Sequence, residues 1–105
     1  MAKQTTFYQQ VYEVTRMVPY GRVTTYGIIA EYLMLGAPRM VGWALNHSFT
    51  GEDVPAHRVV NRFGELSGRL HFPTPTLMQE LLEQEGVKVV DNKVQDFERL
   101  LWRPE

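Results

Sequence analysis

Apolar residues recur at helical intervals along most of the chain and at strand intervals only in short pieces, a pattern that predicts a mainly α domain with short β elements. Phe7, Val11, Val14 and Val18 share one side of a helix from about Phe7 to about Met17. Just before it, Thr6-Phe7-Tyr8-Gln9 has the Ser/Thr-x-x-Glu/Gln form in which two side chains satisfy the orphan N–H groups of a first turn. Pro19-Tyr20-Gly21 stops the helix, and Arg22-Val23-Thr24 reads as a short extended piece. Thr25 is placed to cap a second helix, Tyr26 to about Met34, with Ile28, Ile29, Tyr32 and Leu33 on its apolar side. Gly36-Ala37-Pro38 breaks the chain, and Pro38 suits the first turn of a third helix, Arg39 to about Asn46. Two short helices joined by a tight turn form a helix-turn-helix pattern, which serves packing as readily as DNA binding. Gly42 and Ala44 in the third helix favour close approach of another backbone.

Beyond a polar loop from Ser48 to Asp53, His57-Arg58-Val59-Val60 reads as a short buried strand, Asn61-Arg62-Phe63-Gly64 as a turn and Glu65 to Arg69 as an irregular loop. Thr76-Leu77-Met78-Gln79 repeats the capping form and opens a fourth helix with Leu77, Leu81 and Leu82 as its core face, ended by Gly86. Val87 to Val90 and Asn92 to Val94 read as a hairpin turning at Asp91-Asn92, which makes a wing beside the helix-turn-helix. Phe97, Leu100, Leu101 and Trp102 then close the core, with Leu101 or Trp102 as the plug. The expected whole is one winged helix-turn-helix domain spanning residues 1–105.

Charge changes this picture in one respect. The formal net charge is −1, yet residues 1–69 hold Lys3 and six arginines against five carboxylates, a net +2, while residues 70–105 hold a net −3. Positive charge therefore gathers with the helix-turn-helix, and it is nearly all arginine, the residue suited to phosphate forks and base stacking. The chain has no cysteine, so it offers no disulfide, thiolate metal site or thiol nucleophile. His47, His57 and His71 lack metal-type spacing, no Gly-rich phosphate loop occurs, and neither metal nor cofactor is expected. No apolar run approaches transmembrane length and the N-terminus has no signal-like core, which favours a cytoplasmic protein with no membrane partner.

The most specific stretch is Pro55-Ala56-His57-Arg58-Val59-Val60. With Pro19-x-Gly21-x-Val23-Thr24-x-Tyr26-Gly27, Arg39-x-Val41-Gly42-x-Ala44-Leu45 and Leu81-Leu82-x-x-Glu85-Gly86-Val87, it makes the chain similar, from Phe7 to Trp102, to the C-terminal domain of the O6-alkylguanine-DNA alkyltransferases. The resemblance implies that a reactive cysteine should stand where Ala56 stands; a methyl group cannot replace it as a nucleophile. The chain thus resembles the non-enzymatic alkyltransferase-like proteins, which bind alkylated DNA without repairing it.

That resemblance also implies roles for individual residues. His57 and Glu85 correspond to the base-and-orienter pair that activates the cysteine, left here as a vestigial and structural pair with Ala56. Tyr26 and Arg39 correspond to the residues that turn the damaged nucleotide out of the duplex, Tyr26 by crowding its phosphate and Arg39 by filling the gap in the stack. By the same resemblance Ala56, Val59, Tyr26, Ser67, Gly68 and Arg69 are expected to line the alkylguanine pocket, and the small Ala56 leaves room for adducts larger than methyl. Ser48 stands where the enzymes have a hinge asparagine. The partners it implies are double-stranded DNA with O6-alkylguanine lesions and nucleotide excision repair proteins, and a monomer is expected. Two other readings remain open. A helix-turn-helix regulator would bind intact and alkylated duplexes alike, and an enzyme using another nucleophile or an activated water would leave dealkylated DNA.

Overall fold

A computed structural model describes residues 7–48 and 53–105. Helix α1 (Phe7–Met17) buries Val11 and Val14 on one side and carries a second, hydrogen-bonded stripe: Tyr12 Oη donates to the Ala44 carbonyl at 2.8 Å. Its expected capping residue Thr6 lies outside the described residues. Strand β1 (Thr24–Thr25) leads directly into α2 (Tyr26–Tyr32), whose Ile28 N–H donates to Thr25 Oγ1 at 3.0 Å, the cap expected from the sequence. Helix α2 ends two residues early because Met34 takes a left-handed conformation, φ 59, and the Leu35 N–H donates back to the Ala30 carbonyl. Its buried side is Ile29 and Ala30, while Ile28 is only half-buried and Tyr32 is exposed. Helix α3 (Pro38–His47) starts with Pro38 in its first turn and buries Val41, Ala44 and Leu45 against α1 and α2.

The next segment departs from the expected strand. Ala56–Arg58 form one turn of 3-10 helix, with the Arg58 N–H on the Pro55 carbonyl at 3.0 Å, and only Val59–Val60 form strand β2. Strand β2 pairs in parallel with β1, Thr24 opposite Val59 and Thr25 opposite Val60, and Val23 bridges to Leu101. Successive strand side chains face opposite ways, so Val59 enters the cluster made with Val11, Ile29, Val41 and Leu45, and Val60 enters a second one with Leu66, Met78, Leu82 and Leu100. This two-residue ladder is the seam between the helical half and the rest of the chain.

Past the Asn61–Gly64 turn and a 3-10 turn at Arg69–His71, α4 (Leu77–Gln84) differs from expectation in its cap and its face. Thr76 makes no side-chain cap and donates instead to Glu80 Oε2 at 2.7 Å. Met78 and Leu82 are buried where Leu77 and Leu81 stay half-buried. The helix ends at Gly86, φ +85. Strands β3 (Val89–Val90) and β4 (Lys93–Val94) form the expected hairpin, with Asp91 and Asn92 both at positive φ in its turn. Helix α5 (Phe97–Leu100) then closes the second cluster with Leu100, not with the half-buried Leu101 or Trp102. No helix among the described residues is long and apolar enough to cross a membrane.

Candidate nucleic-acid interface

The 3-10 turn at Ala56–Arg58 aims two consecutive side chains at one carboxylate, which a strand could not do. His57 Nε2 lies 2.6 Å from Glu85 Oε2, and Arg58 donates to the same carboxylate from Nε at 3.0 Å and Nη2 at 2.8 Å. The Gly21 N–H adds a bond to Glu85 Oε1 at 2.9 Å, and Arg58 Nη1 reaches back to the Val18 carbonyl at 3.0 Å. Burial by itself would raise the Glu85 pKa; the Arg58 fork, the Gly21 N–H and His57 outweigh it and hold the carboxylate at about 2. Burial also lowers His57, more than Glu85 raises it, so the ring is neutral at pH 7 and its Nε2–H donates to Glu85. Arg58 as the third member of this group was not apparent in the sequence. Ala56, at the start of the turn, is buried among the helical core residues and presents only a methyl group.

Tyr26, the first residue of α2, packs its half-buried phenol against the loop after the Asn61 turn. A Cβ on Gly68 would lie 2.7 Å from the Tyr26 oxygen, so this approach requires glycine there. Burial pushes the phenol pKa up, and a hydrogen bond with the Ser67 side chain offsets part of the rise. From Tyr26 a groove of about 280 Å³ runs along α3 past Pro38, Arg39, Gly42, Trp43 and Asn46. The Arg39 guanidinium lies 5.7 Å from the centre of the Trp43 ring, which is 49% exposed. A second recess of about 270 Å³ shares Tyr26 and Pro38 and is walled on its other side by Asn61, Arg62 and Phe63.

Of the six residues expected to line one pocket, Tyr26, Ser67 and Gly68 come together. Arg69 lies next to them in a polar recess with Glu65, Ser67, Asp91 and Asn92, its Nη1 donating to the Leu66 carbonyl at 3.1 Å. Val59 is 0% exposed, its side chain pointing from β2 into the helical core, and it does not line either recess beside Tyr26. Ser48 is buried, with Oγ on the Leu45 carbonyl at 2.6 Å, so it closes α3 locally. His47 packs beside Tyr8, and His71 sits exposed in its 3-10 turn. Among the described residues, no cluster of three His, Cys, Asp or Glu could hold a metal ion. Trp43, Arg62 and Phe63 were not singled out from the sequence. For Trp43 the available signal was its i, i+4 spacing from Arg39 on the face of α3 opposite the apolar one.

Comparison with known proteins gives a consistent result. Residues 6–87 match the family model described as 6-O-methylguanine DNA methyltransferase, DNA binding domain. Alkyltransferase-like protein 1 of Schizosaccharomyces pombe is 35% identical over 103 residues, covering 93% of this chain and 95% of that protein. A protein of Escherichia coli named DNA base-flipping protein is 37% identical over 105 residues, covering 97% of this chain and 78% of its own length. The crystal structure of S. pombe Atl1 in complex with damaged DNA containing O6-carboxymethylguanine is similar with a TM-score of 0.80 at 33% identity, over 93% of this chain and 95% of that one.

Proposed function

The chain belongs to the family of the 6-O-methylguanine DNA methyltransferase DNA-binding domain, and on that premise we propose that it binds duplex DNA containing O6-alkylguanine, turns the damaged nucleotide out of the stack and leaves its alkyl group in place. The observation that carries this reading is Ala56 beside an intact His57–Glu85 pair in a chain with no cysteine. Groups that could activate a nucleophile remain, and the nucleophile is gone. The relatives named for base flipping and for complexes with damaged DNA support the binding half of the proposal.

Extruding a base costs a few kcal/mol in lost stacking and pairing. Tyr26, fixed against Ser67 and Gly68 at the start of α2, is the group that crowds the target phosphate. Arg39, exposed at the first turn of α3, supplies a flat cation for the vacated place in the stack. The extruded base would be received beside Ser67, Gly68 and Arg69, where the methyl group of Ala56 supplies no acceptor for its alkyl group. Holding a lesion without reacting would mark it for another system, and we propose nucleotide excision repair as that system.

The test is a titration of matched duplexes carrying guanine or O6-methylguanine at fixed salt, with a fluorescent base analogue beside the lesion. Tighter binding and unstacking are expected only with the lesion, the alkyl group staying on recovered DNA and no alkyl mass appearing on the protein. Equal affinity without a fluorescence change would instead describe a regulator of the helix-turn-helix kind. Loss of the methyl group from the DNA would describe an enzyme.

A further inference from the structure

The recess beyond Tyr26 and Pro38 ends at the turn Asn61–Gly64, where the Arg62 guanidinium lies 4.8 Å from the centre of the Phe63 ring. The groove along α3 has the same arrangement at its other end, a guanidinium over a ring, in Arg39 and Trp43. We infer that the Arg62–Phe63 turn is a second DNA contact: Arg62 takes a backbone phosphate of the strand that crosses Tyr26, and Phe63 packs its ring against the adjoining nucleotide. This rests on the DNA-binding part of the function proposed above and not on its lesion preference.

The turn is built without help from either side chain. Asn61 Oδ1 accepts the N–H groups of Phe63 and Glu65, both at 2.9 Å, and the Gly64 N–H closes the turn on the Asn61 carbonyl at 2.9 Å. Gly64, at φ +82, is pressed against Phe97, where an added Cβ would lie 3.1 Å from the ring. The backbone thus fixes where residues 62 and 63 point before any ligand arrives. It points them outward: Phe63 is 55% exposed although the second core lies next to it. Arg62 is exposed too, and among the described residues no carboxylate pairs with it. The nearby Glu65 carboxylate is held by the Asn61 amide at 2.8 Å. An unpaired planar cation on an exposed ring, along an apolar recess, matches the anionic and flat parts of a nucleotide at once.

The experiment uses the whole chain and short labelled duplexes with guanine or O6-methylguanine, titrated by fluorescence anisotropy across a salt series. Arg62→Gln is expected to weaken both complexes and to reduce the slope of log affinity against log salt by about 0.9, the value for one phosphate. Arg62→Lys should restore the slope. Phe63→Ala should weaken binding about fivefold or more, with Phe63→Leu equally weak because it keeps bulk and loses the ring face. The turn's own hydrogen bonds are untouched in all four variants, so melting temperatures should match the parent. An unchanged slope in Arg62→Gln, or parental affinity in Phe63→Leu, overturns the contact. If the parent binds both duplexes equally while Arg62→Gln still lowers the slope, the lesion reading falls and this contact stands. Absence of salt-dependent binding to either duplex overturns both.

Discussion

A carboxylate as enclosed as Glu85, with 7% of its side chain exposed, survives only with its charge fully met. The Arg58 fork, His57 and the Gly21 N–H meet it, so its pKa stands at about 2 in the folded chain against 4.5 in the unfolded one. Stability from this group is complete above pH 4.5 and is lost as pH falls toward about 2, amounting to roughly 3 kcal/mol. His57 acts earlier. Burial depresses its pKa below 6.5, so the unfolded chain takes the proton first and stability begins to fall as pH drops through 6.5. Urea denaturation across a pH series should show both stages, and His57→Gln should remove the upper one while leaving the lower. Arg58→Ala strips Glu85 of the permanent cation that pairs with it and should cost about 3 kcal/mol or more. Ala56→Cys puts a thiol next to the retained pair, but attack also needs sulfur and alkyl carbon in line, so transfer to the new cysteine should be slow or absent by mass spectrometry of the recovered protein. Rapid stoichiometric transfer would show that the reactive geometry persists. His57 and Glu85 were legible from the motifs that carry them. Arg58 was not, because a strand reading sends its side chain to the opposite face from His57.

Helices were the readable elements, since their apolar spacing is long enough to establish a period: α1 has the expected bounds, and α3 begins one residue earlier. Two-residue strands carry no period of their own, and the seam between β1 and β2 depends on pairing across the chain from Thr24 to Val59. Choices between adjacent apolar residues failed for the same reason. Met78 against Leu77, and Leu100 against Leu101, are decided by how a whole helix is rotated onto its neighbours. The end of α2 shows local geometry that composition conceals. Met34 holds a left-handed backbone at φ 59 and is 90% exposed, so it accepts backbone strain and gains no burial in return. Glycine carries no such penalty at this position, and Met34→Gly should raise stability by about 1 kcal/mol in a denaturation experiment. A decrease would show that the exposed methionine stabilises the fold through a contact that glycine cannot make.

At the scale of the whole molecule, the two halves divide the labour between arginine and acid. The net −3 of residues 70–105 is unsuited to a phosphate backbone, and the wing turn carries Asp91 beside the loop that holds Arg69. On the function proposed above, attraction to DNA would fall to a few side chains around Tyr26, chiefly Arg39, Arg62 and Arg69. With about three phosphate contacts at 0.9 each, log affinity should fall against log salt with a slope near −3, shallow beside proteins that neutralise six to ten phosphates. Intact and alkylated duplexes present the same phosphates. The proposed lesion preference would arise from the cost of opening a damaged pair and from what receives the base, neither of which releases counterions. Raising salt should thus lower both affinities together while their ratio changes by no more than one phosphate, the one that Arg39 would give up on entering the stack in the proposed complex. Anisotropy titrations of both duplexes over the same salt series measure the slope and the ratio at once. A ratio that collapses toward one as salt rises would locate the preference in charge and would remove the need for an extruded base.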